Sequence, residues 1–334
     1  MPAFAIGNTP SSDISIPFNN SIAVNYTGFT TQAQTAFDYA VSIWNSALVS
    51  PIAIKIDATF SNLGAGILGS AGPQTFKVNF TNAPQTNVYY PISLANQLSG
   101  SDLNGATGEI TASFNSTADW YYGTDGITPF SQYDFVSVVL HEIGHGLGFT
   151  GFYGSNGALC CGATFPSIFD TYMEDAGGTK ITQLSSDAAR SSTFVSNSLY
   201  FNGTNANAAN GNTRVNLYAP TTFSDGSSIY HLDDTAYSST SNALMTYSIP
   251  NGTARHTIGD VTLGILKDEG WTLQVTAVPF DFTPLPAILI IGMFAGWSAY
   301  RRDRQRKSQD KQIQDNVSDQ MSDKAEDKTL SHHK

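Results

Sequence analysis

Apolar side chains recur along this 334-residue chain with two different periods, and these periods predict its elements. Between residues 30 and 49 they return every three or four positions, as in a helix with one buried face, and Thr30 or Thr31 stands where an N-cap belongs. Residues 51–60 alternate between apolar and polar instead, which predicts a strand. Further strand patterns lie at 14–28, 74–90 and 109–116, and short helices are predicted at 92–98 and 182–190.

A third apolar run, YDFVSVVL, continues directly into HEIGHGLGF, and the two together occupy residues 133–149. An α-helix has 3.6 residues per turn, so His141 and His145 lie on the same face. Two imidazoles with this spacing can bind one metal ion, and Glu142 beside the first can act on water at that ion. This is the H-E-x-x-H pattern of zinc metallopeptidases, and it predicts a Zn²⁺ site.

A catalytic zinc usually takes three protein ligands and leaves a fourth position for water. Besides the two motif histidines, residues 1–300 contain only His231 and His256, so the third ligand is one of these or a carboxylate. His256 precedes a predicted helix, where a surface or capping role is expected. Glu174 would make a glutamate-type zinc site. The acidic residues expected to structure loops or to support the ligands are Asp170, Asp175, Asp233 and Asp234.

The motif resembles the start of the metzincin signature H-E-x-x-H-x-x-G-x-x-H. His141, Glu142, His145 and Gly148 match it, whereas Gly151 stands at the position of the last histidine. In leishmanolysin-like metzincins a long insertion separates that glycine from the third histidine, which precedes a methionine turn. The segments SSIYHLDD and NALMTYS are similar to those two features.

This resemblance implies a role for several later residues. His231 becomes the third zinc ligand and Met245 the methionine beneath the metal site. Tyr247 becomes a catalytic residue whose hydroxyl steadies the developing oxyanion, beside Glu142 as general base. The family's last helix is expected at 259–271. The strand EITASFNS (109–116) is expected at the rim of the cleft, where an exposed edge can bind an extended peptide.

The implied fold is α+β, with a twisted N-terminal sheet, two long helices and an irregular C-terminal half. The expected peptidase domain is 1–278, in which residues 150–225 form an insertion or flap over the cleft. Residues 279–307 are expected to form a membrane or sorting segment, and 308–334 a disordered tail.

The segment 279–307 contains a short apolar run followed by a basic cluster. It resembles bacterial C-terminal sorting signals of the PEP-CTERM type, and its apolar run is long enough for a tilted membrane helix. The basic side chains would remain on the cytoplasmic side. The sequence therefore predicts a bacterial protein at the cell surface or outside the cell, anchored through this segment.

Composition narrows the partners. The net charge is −11 and no cluster of basic residues precedes residue 300, so nucleic acid is excluded as a partner. The two cysteines, Cys160 and Cys161, are adjacent, which leaves a vicinal disulfide or two free thiols.

The predicted function is zinc-dependent endopeptidase activity on extracellular proteins or peptides. The alternative is a non-catalytic surface or adhesion protein that uses zinc for stability. A structural zinc site normally has four protein ligands. The retention of Glu142 next to three histidines favours the enzyme.

Overall fold

The structure is a computed structural model that describes residues 22–274, and in that range the fold is α+β, as predicted. The α-helices are α1 (Thr31–Ala47), α2 (Ile92–Ser99), α3 (Phe135–Leu147), α4 (Asp187–Thr193), α5 (Thr204–Ala209), α6 (Asp234–Tyr237) and α7 (Asp260–Glu269). The strands are β1 (Ile22–Thr27), β2 (Leu48–Val49), β3 (Ile54–Ser61), β4 (Gly69–Pro73), β5 (Phe76–Lys77), β6 (Tyr90–Pro91), β7 (Ile110–Asn115), β8 (Trp120–Tyr121), β9 (Tyr133–Asp134), β10 (Met173–Glu174), β11 (Leu199–Phe201), β12 (Val215–Leu217) and β13 (Thr272–Leu273).

The largest sheet has four strands in the order β1-β3-β7-β4. Strands β1, β3 and β7 are parallel, and β4 pairs antiparallel with β7. The expectation that residues 109–116 form the exposed rim strand is therefore wrong, because β7 is paired on both sides. The edge strand next to it is β4. Its sequence, GSAGP, offers no alternating apolar face, so β propensity did not indicate a strand there.

Helices α1 and α3 pack together against this sheet and position the site. Thr30 caps α1 by accepting a hydrogen bond from the amide of Ala33, as predicted. The buried Trp44 of α1 donates from its indole nitrogen to the carbonyl oxygen of Leu140 in α3, at 3.1 Å. Five phenylalanines join the two helices to the sheet through edge or tilted ring contacts at 5.1–6.4 Å: Phe29, Phe37, Phe60, Phe114 and Phe135.

The segment predicted as an insertion adds its own strands and buried side chains to the hydrophobic core of the described chain. Strands β10, β11 and β12 form an antiparallel sheet. Phe169, Phe194 and Phe201 are fully buried. The helix predicted at 182–190 is α4, which begins five residues later, after a 3₁₀ turn. Helix α5 packs against α7, the closing helix predicted at 259–271. The role of residues 150–225 as a flap stays a prediction.

Residues 279–307, predicted as a membrane or sorting segment, and the tail 308–334 lie outside the described residues. Between residues 22 and 274, none of the helices combines the length and the apolar character needed to cross a bilayer.

Candidate metal centre

The start of α3 is fixed by a buried capping network. Asp134 is the N-cap, and its carboxylate accepts hydrogen bonds from the amide of Ser137 at 2.8 Å and from the Ser137 hydroxyl at 2.6 Å. His256 Nε2 lies 2.8 Å from the same carboxylate oxygen. Burial alone raises the pKa of Asp134, but hydrogen bonds from His256 and Ser137 hold it below its usual value. His256, one candidate for the third ligand, is therefore a capping residue.

Three histidine side chains converge at the other end of α3. His141 and His145 come from successive turns of the helix, and His231 comes from the chain after β12. Their Nε2 atoms form a triangle with edges of 3.0, 3.1 and 3.2 Å. Tetrahedral zinc with Zn–N bonds of about 2.0–2.1 Å holds such nitrogens roughly 3.3 Å apart. The three imidazoles could therefore hold one metal ion, and zinc as that ion stays a prediction.

The opposite ring nitrogens show which tautomer each histidine adopts. Nδ1 of His141 lies 2.8 Å from the carbonyl oxygen of Leu244, Nδ1 of His145 lies 2.7 Å from that of Phe149, and Nδ1 of His231 lies 2.7 Å from that of Ser227. A carbonyl oxygen only accepts, so each Nδ1 carries a proton and donates it. Three Nε2 lone pairs then face one another, and a cation between them relieves that repulsion.

Burial lowers the pKa of all three imidazoles. The pKa of His141 falls to about 3, mainly through desolvation and then through the neighbouring charges of His145 and Arg255. Desolvation also lowers the pKa of His145, and it lowers that of His231 well below the usual value. Neutral imidazole is the form that binds a metal. The lowered pKa values therefore favour the form of these three side chains that can act as ligands.

The turn that contains Met245, called the methionine turn, packs against α3 between the two helical histidines. Met245 is fully buried, and a β-carbon on Gly144, between the two helical ligands, would lie 2.6 Å from its sulfur. The amide of Leu232 donates to the carbonyl oxygen of Met245 at 2.8 Å. This pairing holds the chain segment of His231 against the turn. Met245 therefore packs against α3 between His141 and His145, and its role beneath a bound metal stays a prediction.

A buried carboxylate supports the third histidine from the other side. Asp170 accepts a hydrogen bond from the hydroxyl of Tyr230 at 2.8 Å, and Tyr230 immediately precedes His231. The amide of Ser167 donates to Asp170 as well, at 2.8 Å. Burial raises the pKa of Asp170 to about 6 despite these hydrogen bonds. Asp170 thus structures the loop that carries His231, as expected from the sequence.

Glu142 faces the edge strand of the sheet. The amide of Ala71 in β4 donates to its carboxylate, and the side chain packs closely over Gly69. Burial raises the pKa of Glu142 to about 8, while the bond from Ala71 opposes that rise. A carboxyl group with its pKa near neutrality can both accept and return a proton.

The cleft that contains His141 and Glu142 has a volume of about 1120 Å³. It is lined by the loop before β4 together with its first residues, 64–70, and by residues 225–227, 244 and 246–249. The backbones of Leu68 and Gln74 form hydrogen bonds with residues at the two ends of β7. Successive residues of a strand direct their backbone groups to opposite sides. The backbone groups of Gly69 and Ala71 therefore point away from β7, towards the free edge of β4. This edge borders the cleft beside Glu142.

Tyr247 also lines the cleft and is 40% exposed. Its ring stacks on that of Tyr218 with centroids 4.2 Å apart. Its catalytic role stays a prediction.

The other candidate ligands lie outside the histidine cluster. Glu174 accepts hydrogen bonds from Asn202 at 2.9 Å and from Arg214 at 3.4 Å, so it is not a zinc ligand. The remaining acidic candidates bind nearby loop groups. Asp175 accepts from the amide of Thr179, Asp233 caps α6, and Asp234 accepts from the hydroxyl of Ser248.

The two cysteines lie in a surface turn. Cys160 is partly buried, Cys161 is exposed, and their sulfur atoms are 2.7 Å apart. Cys161 has a positive φ of 61°. Neither sulfur belongs to the histidine cluster.

Sequence reasoning missed one charged residue of the cleft, Arg255. Its guanidinium donates to the Thr246 hydroxyl and to the carbonyl oxygen of Ser248, both at 2.8 Å. Its backbone amide donates to the hydroxyl of Ser137. These contacts join three segments that are distant in sequence, so no local pattern could indicate that Arg255 is buried.

Comparisons with known proteins cover the first part of this site. A family described as SPBPB7E8-like matches residues 32–173, less than half of the chain. An uncharacterized protein of Schizosaccharomyces pombe (strain 972), PB7E8.01, is 30% identical over 110 residues. This alignment covers 33% of the present chain and 18% of the yeast protein. The family match includes His141, Glu142 and His145 and ends before His231.

Proposed function

We propose that this protein is a zinc-dependent endopeptidase of the metzincin type. The observation that carries the proposal is the triangle of three Nε2 atoms with Glu142 beside it in an open cleft. Three protein ligands are the number that leaves a position for water. A site that used zinc only for stability would need a fourth ligand and would not need Glu142.

When bound by His141, His145 and His231, Zn²⁺ would polarise the scissile carbonyl and lower the pKa of water to about 7. Glu142 accepts the proton from the attacking water and delivers it to the leaving amine. Tyr247, which lines the same cleft, is proposed to donate a hydrogen bond from its hydroxyl to the developing oxyanion.

The free edge of β4 is the proposed binding site for the substrate. An extended peptide can add to an exposed strand through main-chain hydrogen bonds. The carbonyl oxygens of Gly69 and Ala71 are the acceptors available on that edge. A peptide bound there lies beside Glu142, so strand addition positions the scissile bond without requiring one particular sequence.

The proposed location is the cell surface or the extracellular space, with residues 279–307 as the anchor. This part of the proposal rests on the sequence of that segment alone. Membrane fractionation of cells that express the full chain, with and without residues 279–307, tests it. Release of the shortened chain supports an anchor, and retention of it contradicts one.

The proposed activity is tested with the full chain and an unfolded protein as substrate. Cleavage that stops with a chelator and returns with zinc supports the proposal. A folded protein that binds one zinc ion per chain and cleaves no substrate would contradict it and favour the zinc-stabilised surface protein.

A further inference from the structure

We propose that Arg255 makes this site selective for peptides with a carboxylate next to the scissile bond. This inference rests on the proposed peptidase function and deepens it. The carboxylate can belong to an Asp or Glu side chain, or to the end of a peptide chain, and the two sources share the same chemistry.

Arg255 lies close to the metal centre. Its backbone amide is bonded to Ser137, which is one helical turn, or about 6 Å along the axis, before His141. Its guanidinium is bonded to Thr246, two residues after the Leu244 carbonyl that holds His141. Arg255 also lines the same cleft as His141 and Glu142. A substrate that reaches the histidines therefore enters the cleft that Arg255 borders.

The charge of Arg255 has no direct partner among the described residues. The residue is only 9% exposed, and no carboxylate of residues 22–274 lies within 4.0 Å of it. Its two hydrogen-bond acceptors are a hydroxyl and a carbonyl oxygen, both neutral. Its Nε is buried and has no hydrogen-bond partner in the described part of the chain. Burying a charge without a counter-ion is costly, so an anionic ligand would stabilise this arrangement.

The aspartates in and around the cleft do not cancel this preference. Asp234 is the acidic residue whose charge favours the protonated form of Arg255. Its carboxylate oxygens nevertheless lie more than 4.0 Å from the guanidinium nitrogens. Asp119 and Asp225 line the cleft and are exposed, so water and salt screen them. A guanidinium remains charged at any working pH and binds carboxylates with two parallel hydrogen bonds. A carboxylate is therefore the group that Arg255 recognises best.

The test uses the zinc-loaded full chain and peptides blocked at both ends. Matched peptides differ only by Asp or Asn, or by Glu or Gln, on each side of the scissile bond. We expect kcat/KM to be at least about 10-fold higher for the acidic member on one side. A second set, with a free or an amidated C-terminus, shows whether a terminal carboxylate is accepted as well. Equal rates across all pairs would overturn the inference while leaving the proposed function intact.

Variants then assign the preference to Arg255. In Arg255→Gln the acid-to-amide ratio is expected to fall to about 1, and Arg255→Lys is expected to keep part of it. The matched control is Arg214→Gln, which removes a guanidinium bonded near Glu174 and should keep the parent ratio. An unchanged ratio in a folded, zinc-binding Arg255→Gln would overturn the inference. If that variant does not fold, Arg255→Lys decides: an acid-to-amide ratio below that of the parent supports the inference, and an unchanged ratio overturns it.

A different result identifies failure of the proposed function. If the zinc-loaded parent cleaves no peptide of either set and no unfolded protein, the proposed function is wrong and the inference falls with it.

Discussion

A β-carbon placed on Gly144 would lie 2.6 Å from the sulfur of Met245. This contact joins the helix that carries two histidines to the turn that supports them. Gly144→Ala should therefore separate the two elements. Overpacking of this kind costs about 1–3 kcal/mol, and we expect lower zinc affinity as well as a lower melting temperature. Unfolding and zinc titration measure both effects.

Gly72→Ala is the matched control for this substitution, because a β-carbon there has open space within 4 Å. The control should keep the melting temperature of the parent. Equal stability of Gly144→Ala and Gly72→Ala would contradict the packing described for Met245.

The identity of the third ligand is tested by substituting His231 and His256 separately. His231→Gln removes a nitrogen from the triangle, and zinc affinity should fall by more than about 100-fold, beyond the loss typical of an outer hydrogen-bond partner. His256→Gln removes a bond to the cap of α3 and should lower stability while leaving zinc binding nearly unchanged. Calorimetric titration with zinc separates the two. The reverse ranking would make His256 the ligand.

The support of His231 by Asp170 passes through the hydroxyl of Tyr230. Tyr230→Phe leaves the ring and removes that hydroxyl, so Asp170 loses a donor and the loop loses an anchor. We expect zinc affinity to fall by about 10-fold. Tyr237→Phe removes a hydroxyl that is bonded to Asn210, away from the site, and serves as control. Equal zinc affinity in both variants would show that the Asp170 contact is irrelevant to the metal.

The stability of the metal-free protein should depend on Glu142 in a defined pH range. Folding raises the pKa of this carboxyl from 4.5 to about 8, so it stays protonated when folded and ionises when unfolded. Its contribution to stability is complete below pH 4.5 and is lost as the pH rises to about 8. Glu142→Gln cannot ionise. Relative to the parent it should gain stability over this range, by up to a few kcal/mol.

Urea unfolding of both metal-free proteins at several pH values measures this difference. A difference in unfolding free energy that is constant from pH 4.5 to 8 would show that Glu142 is solvated in the folded protein.

The sequence predicted those elements whose apolar pattern is strong and local. Helix α1 shows a buried face and a capping threonine, and α3 contains both helical ligands within five residues. His231 was reached through a resemblance, since 86 residues separate it from His145. The α+β class followed from the same elements.

The parts that sequence reasoning missed depend on contacts between distant segments. Strand β4 is rich in glycine and pairs with a strand some 40 residues later. The alternating apolar pattern lies in that partner, β7, so β7 and not β4 was predicted as the strand at the rim of the cleft. Arg255 becomes buried only when α3 and the methionine turn meet. Both features border the cleft, where fold and substrate recognition depend on tertiary contacts rather than on local propensity.

The most direct test compares the zinc-loaded parent with zinc-loaded Glu142→Gln on one unfolded protein substrate. We expect one zinc ion per chain in both proteins and a cleavage rate about 10²–10⁴-fold lower in the variant, the range expected for loss of a general base. Equal rates in the two proteins would contradict the role assigned to Glu142 and, with it, the proposed mechanism.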